Sequence, residues 1–291
     1  MTVPARPTPL FADIADVSRR LAETGYLPDT ATATAVFLAA RLGKPLLVEG
    51  PAGGGKTELA RAVAQATGSG LVRLQCYEGV DEARALYEWN HAKQILRIQA
   101  GSGDWEATKT DVFSEEFLLQ RPLLTAIRRT EPTVLLIDET DKADIEIEGL
   151  LLEVLSDFAV TVPELGTLTA TRAPFVLLTS NATRELSEAL KRRCLYLHID
   201  FPTPELERRI LLSRVPELPE HFAEELVRII GVLRGMQLKK VPSIAETIDW
   251  GRTVLALGLD TIDDAVVAAT LGVVLKHQSD QQRATGELRL N

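Results

Sequence analysis

The segment Gly50-Pro51-Ala52-Gly53-Gly54-Gly55-Lys56-Thr57 constrains this chain more than any other stretch. It follows a short apolar run, LLVE, and leads into ELARAVAQATG, whose apolar residues recur at three and four. A strand that turns through glycines into a helix gathers backbone N–H groups and the positive end of the helix at one place, which suits phosphate oxygens. In a loop of this pattern the Lys56 ammonium reaches the β- and γ-phosphates and the Thr57 hydroxyl faces Mg²⁺, with Glu58 opening the helix behind them. The competing reading is a glycine-rich turn that happens to precede Lys-Thr, and it has both the fixed spacing and the strand–helix context against it.

The remaining pattern says what such a loop is built into. Phe11 to Leu21 and Thr30 to Leu42 have helical periodicity, and the link GYLPDT offers Thr or Asp as a cap for the second helix. LVRLQC alternates like a strand, and TVLLID, PFVLLTSN and CLYLHIDF read as buried strands. Tyr77 to Arg121 reads as a helix broken by an insertion that includes AGSGDWEATKTD, and AVTVPELGTLTA has the shape of a hairpin. Strands alternating with helices predict an α/β fold, a parallel sheet covered on both faces. From Thr203 onward only helical pattern remains. Pro204 stands behind the capping Thr203, and Ser243 with Glu246 and Thr261 with Asp264 are placed as cap and acid. The expected organisation is a leader and helix over 1–24, a nucleotide-binding domain over 25–202 and an all-helical domain over 203–291.

A phosphate loop needs a metal partner and a group to activate water. Asp138, closing TVLLID, is placed to hold Mg²⁺ together with Thr57, and Glu139 beside it to orient or deprotonate water. Asn181, after FVLLTS, is placed to fix the same water, although an Asn there is commonly a turn former. Arg192 and Arg193 close a helix, where cations are favoured by the dipole; a guanidinium there also suits a neighbouring subunit's γ-phosphate. The chain has no N-K-x-D segment to read guanine, so ATP is the expected nucleotide.

Lys plus Arg number 32 against 41 Asp plus Glu, a net charge of −9, which disfavours a nonspecific nucleic-acid binder. Cys76 and Cys194 form no framework, and the four histidines lack metal spacing. No apolar run is long enough for a signal peptide or a membrane span, so the expected place is the cytoplasm.

GPAGGGKT, LLIDETDKA, LLTSN and LKRRC, in this order, resemble the AAA+ ATPases and more closely their MoxR-like branch. The resemblance covers about residues 25–275. It implies a P-loop αβα sandwich, a helical lid and a ring, commonly a homo-hexamer. It matches Lys56 and Thr57 to Walker A, Asp138 and Glu139 to Walker B, Asn181 to sensor 1 and Arg193, with Arg192 as runner-up, to the arginine finger. The insert near 86–113 and the hairpin resemble elements that touch a protein client in related rings. One departure stands out. Where the MoxR-like lid usually has S-P-R-A, this chain has Ser243-Ile244-Ala245-Glu246, which leaves Ala245 at the Arg position and Arg252 as a substitute, unless the lid does not sense phosphate directly. VPSIAETIDW looks like the variant of the branch associated with carbon monoxide dehydrogenase maturation. That branch implies insertion of a metal centre and a von Willebrand factor A-domain partner. The alternatives are a nucleotide-gated scaffold whose hydrolysis is incidental, which the missing Arg favours, and a motor acting on nucleic acid, which the charge disfavours.

Overall fold

The computed structural model describes residues 10–100, 111–259 and 261–288. The leader over 1–9 and most of AGSGDWEATKTD lie outside them. The described chain forms two compact units. One takes the residues up to Thr24, Pro28–Glu49 and Thr57–His198; the other takes Gly25–Leu27, Gly50–Lys56 and the residues from Ile199 onward.

The first unit is built on five parallel strands in the order β2-β5-β8-β1-β9, namely β1 Leu46–Glu49, β2 Gly70–Gln75, β5 Thr133–Asp138, β8 Phe175–Ser180 and β9 Leu195–His198. Every residue of β5 and β8 is buried, as a strand covered on both faces requires. Leu47, Leu74, Leu135, Ile137, Val176 and Leu178 pack with Leu123, Leu124 and Ile127 of the helix Pro122–Arg128 and with Leu151 and Val154 of the helix Ile145–Asp157. Because all five strands run the same way, Glu49, Asp138 and Ser180 close their strands at one edge of the sheet, where such folds place ligands.

Three expectations are corrected. CLYLHIDF is not a buried strand: β9 is an edge strand in which Leu197 is buried and Tyr196 is 57% exposed. Tyr77 to Arg121 is not one broken helix. Its described part holds two short helices, Glu82–Ala85 and His91–Ala100, and an antiparallel ribbon of β3 Tyr87–Trp89 with β4 Leu118–Gln120, where Trp89 packs edge-on to Phe113 at 5.5 Å. The cap of the helix Asp264–Val274 is Asp263, whose carboxylate accepts from the Val266 amide, and not Thr261. The hairpin is present as β6 Ala159–Val162 and β7 Gly166–Thr169, and Asp29 caps the helix Thr30–Leu42.

The second unit is helical: Pro204–Arg214 capped by Thr203, Glu220–Gly235, Ile244–Leu257, Asp264–Val274 and Gln278–Glu287. Trp250, fully buried, donates its indole N–H to Thr270 Oγ1 at 2.8 Å within a core of Leu211, Leu226, Ile230 and Leu271. A buried ion pair crosses the same unit. Arg234 gives both guanidinium NH₂ groups to Glu207, at 2.6 and 2.9 Å, and its Nε–H to the Pro242 carbonyl, while Thr247 donates to Glu207 Oε1 at 2.7 Å. Removing one partner of a buried pair strands the other charge. Arg234→Met is therefore expected to destabilise the helical unit by ~3–5 kcal/mol, and Arg234→Met with Glu207→Leu to recover most of the loss. Urea unfolding followed by circular dichroism checks both.

Candidate active site

Glycine is required in the loop after β1 for two separate reasons. Gly50, Gly53 and Gly55 have φ of +150°, +79° and +93°, backbone that other residues rarely adopt. Space is the second reason. A Cβ on Gly50 would land on the Ile199 carbonyl oxygen and one on Gly53 on the Cβ of Ser243, whereas one on Gly54 meets nothing closer than Pro51 O at 3.3 Å. Within this loop the Gly54 amide donates to Pro51 O at 3.2 Å, and Ala52 lies exposed at its tip. The Lys56 ammonium, 6% exposed, donates to the carbonyls of Gly50 at 2.6 Å and Pro51 at 2.7 Å, which holds a positive charge directly beneath the turn.

The side chains expected to face a metal, Thr57 and Asp138, belong to the sheet unit. Thr57 Oγ1 donates to Asp138 Oδ1 at 2.9 Å, and Thr179 Oγ1 donates to the same oxygen at 2.6 Å. Asp138 Oδ2 accepts from Arg73 Nε at 3.0 Å and from its NH₂ at 2.5 Å. Glu139 turns the chain out of β5 in the left-handed region, φ +56°, and its amide donates to Thr179 Oγ1 at 2.8 Å. Its carboxylate Oε2 accepts from Gln75 Nε2 at 2.9 Å and from Lys142 Nζ at 2.7 Å. Asp138 and Glu139 are thus both held by β2 and β8, Asp138 through Arg73 and Thr179 and Glu139 through Gln75 and Thr179.

Asn181 follows β8, ahead of Ala182 at φ +56°. The turn is tied back to the Asp138 segment by Asp141, whose Oδ2 accepts from the Thr183 amide at 3.0 Å and its hydroxyl at 2.5 Å. Burial pushes the Asp141 carboxyl up, but the Thr183 hydroxyl and amide, helped by the Asn181 amide, outweigh it and hold the group below its ordinary value. Its contribution is therefore complete above the ordinary carboxylate range and is lost as pH falls through the depressed folded value. Glu58, in the first turn of the helix Lys56–Thr67, faces Arg61 at 3.9 Å. Arg192 and Arg193 end the helix Glu188–Arg193 and are exposed; Arg193 Nε donates to Ser156 Oγ at 2.8 Å and one of its NH₂ groups to Ala189 O at 3.2 Å. In the helical unit, Ala245 lies in the first turn of Ile244–Leu257 and Arg252 faces Asp249 on the same helix at 3.4 Å.

Arg73, Gln75, Thr179 and Asp141 were not singled out by the sequence reading. Arg73 and Gln75 are alternate residues of β2, so they share a face, and that was the only signal available. The cysteines carry no reactive thiolate. Burial, with Asp138, Asp141 and Glu139 nearby, pushes the Cys76 thiol up to about 12, and burial pushes Cys194 up to about 12 against the opposing charge of Arg193.

The donor set fits a magnesium nucleotide: glycine-lined amides, an ammonium, a hydroxyl and an ionisable carboxylate. Among the described residues no group of three or more His, Cys, Asp or Glu is placed to cage a metal. The glycine geometry makes a graded prediction. Gly50→Ala and Gly53→Ala are expected to weaken nucleoside triphosphate binding at least about tenfold, the equivalent of ~1–3 kcal/mol of backbone strain, and Gly54→Ala less than about threefold. Titration with a fluorescent ATP analogue reads all three.

Residues 45–194 match the AAA domain of the dynein-related subfamily. The chain is 24% identical over 219 residues to the protein NorQ of Paracoccus denitrificans, covering 73% of each. It is 27% identical over 236 residues to the chaperone protein ClpB 1 of Synechocystis, covering 76% of this chain but only 23% of that one. An uncharacterised protein of Staphylococcus haemolyticus is 22% identical over 86% of this chain and 91% of its own. Among solved structures, a P216G mutant of RuvB from Thermotoga maritima shares the fold, with a TM-score of 0.52 and 19% identity over 92% of this chain and 73% of that one. With the match spanning more than half of its length, over the glycine loop and four of the five sheet strands, the chain belongs to the dynein-related subfamily of AAA domains.

Proposed function

We propose that the protein is a Mg²⁺-dependent ATPase of the MoxR-like kind that works as a ring, a hexamer, and remodels or matures a protein client. The observation that carries this reading is the hydrogen bond between Thr57 and Asp138, residues 81 apart in sequence, directly after a loop that only glycine can form. The Gly50–Gly55 amides and Lys56 would hold the phosphates, and Thr57 and Asp138 the metal, which supplies compensation of phosphate charge when bound. Glu139, whose carboxylate already receives two donors, would orient the attacking water and accept its proton, with Asn181 fixing the same water. Arg193, or Arg192 beside it, would be offered to the nucleotide of a neighbouring protomer; both lie exposed at a helix end.

Client remodelling draws support from relatives that bear the name of chaperones, although this chain spans 23% of the ClpB 1 chain that it matches. The lid segment VPSIAETIDW supports the finer reading, insertion of a metal centre with a von Willebrand factor A-domain partner. A scaffold whose turnover is incidental is the reading that Ala245 favours, because no arginine stands at that position in the lid helix.

Glu139→Gln is expected to bind ATP as the wild type does and to lower turnover by ~10²–10⁴. Wild-type turnover in that variant would take Glu139 out of the chemistry. Arg193→Ala is expected to lower turnover by about 10³ with binding retained. Mixing it with Lys56→Ala protein should restore activity, because mixed interfaces then pair an intact loop with an intact finger. Restoration by Arg192→Ala mixtures instead would move the role to Arg192, and no restoration by either would leave hydrolysis within one protomer.

A further inference from the structure

Asp138 is 2% exposed, and its carboxylate oxygens are fully engaged by protein. An ionised carboxylate has about four acceptor sites. Thr57 and Thr179 take those on Oδ1, and two N–H groups of Arg73 take those on Oδ2. The group expected to face a divalent cation therefore already has a cation on it. Arg73 stands opposite Leu136 in the β2–β5 register, and its side chain runs along the sheet to Asp138, whose own partner in register is Gln75. A third hydrogen bond, from its NH₂ to Gln75 Oε1, fixes the guanidinium there. The Arg73 side chain is 43% exposed and that of Asp138 3%, so the guanidinium has an open side toward water while the carboxylate has none.

We propose that Arg73 is the resident counter-ion of the metal carboxylate: a positioning residue that holds Asp138 aimed before metal arrives and makes divalent-cation binding depend on the nucleotide's phosphates. The proposal rests on the reading of Thr57 and Asp138 as the metal side chains. A divalent cation arriving alone meets a fixed positive charge and has to displace charge-assisted hydrogen bonds on Oδ2. Arriving with a polyphosphate, it brings several negative charges that offset both cations. The site then stays unloaded by free metal and fills with metal and nucleotide together. A purely structural Arg73 predicts the opposite sign, since losing it would disorder Asp138 and weaken metal binding.

The test titrates Mn²⁺ into the nucleotide-free full chain, with free ion counted by electron paramagnetic resonance. Arg73→Ala is expected to bind Mn²⁺ alone about tenfold more tightly than the wild type, as removal of one like charge beside the ion implies. Adding Asp138→Asn to Arg73→Ala should abolish the gain, and Arg73→Lys, which keeps the charge but not the fork, should stay close to wild type. Arg73→Gln, neutral but still able to donate to Asp138, serves if the alanine variant fails to fold. Equal or weaker Mn²⁺ binding in the folded neutral variants overturns the proposal. Should neither the wild type nor the variants bind Mn²⁺ even with ATP present, the metal-site reading itself falls, whereas normal Mn²⁺–ATP binding with unchanged affinity for Mn²⁺ alone removes only the role of Arg73.

Discussion

A carboxylate buried at the end of a central strand is costly unless hydrogen bonds and charge meet its ionised form. Asp138 satisfies that requirement with donors from three separate elements: Thr57 from the helix after the glycine loop, Thr179 from β8 and Arg73 from β2. The parallel sheet makes this possible. β5 is flanked by β2 and β8, so Arg73 and Thr179 reach Asp138 from the strands on either side of it. Sheet order, strand direction and the chemistry at the strand ends are one constraint seen at three scales. A register slip of one residue in β2 would turn Arg73 and Gln75 to the opposite face and leave both acids without these partners.

Backbone strain is concentrated at the same edge. Of the three non-glycine residues with positive φ among the described residues, Glu139 directly follows β5, Ala182 follows Asn181, and only Phe158 lies elsewhere, at a helix end. The Glu139 corner is held by its amide on Thr179 and by Gln75 and Lys142 on its carboxylate. At the Ala182 turn the Ala182 amide donates to Ser180 Oγ at 3.0 Å, and Asp141 grips Thr183. Such conformations persist where the surroundings over-determine them, and here each corner has several independent restraints. The restraints hold the Glu139 corner and the backbone beside Asn181, the two residues proposed for the attacking water, at neighbouring strand ends.

The parts of this site that were legible in the sequence are those that chain continuity dictates. Gly50 to Thr57 is one uninterrupted segment, and TVLLID and FVLLTS announce their burial by the apolar runs VLLI and FVLL. The loop's glycines were readable because turn geometry is local. Arg73 was not, because alternation in LVRLQC says which residues share a face and not what stands opposite them. Register supplies that, and register is set by packing between segments more than fifty residues apart. The misreading of β9 has a similar origin: LYLH is apolar enough for a central strand, and the sheet order shows that among the described residues no strand lies beyond it. Tyr196 instead donates its hydroxyl to Glu49 at 3.0 Å. Thr261 failed as a cap because Asp263, two residues on, offers a carboxylate to the same helix start.

Ala245, where the resemblance leads one to expect an arginine, gains a physical context from the residues around it. Ser243 caps the helix Ile244–Leu257, and Glu246 closes the box by accepting from the Ser243 amide at 2.8 Å. The same serine lies where a side chain on Gly53 would go, and the Ile244 amide donates to the Gly53 carbonyl at 3.4 Å. The phosphate loop and this helix start therefore share one tight contact inside the helical unit, which the chain leaves after the loop at the Lys56–Thr57 bond. A long arginine reaching across a gap is one way to couple a lid helix to bound phosphate. A backbone hydrogen bond and a glycine fitted against the capping serine is another, and it acts through the loop that would hold the phosphate rather than through the phosphate itself.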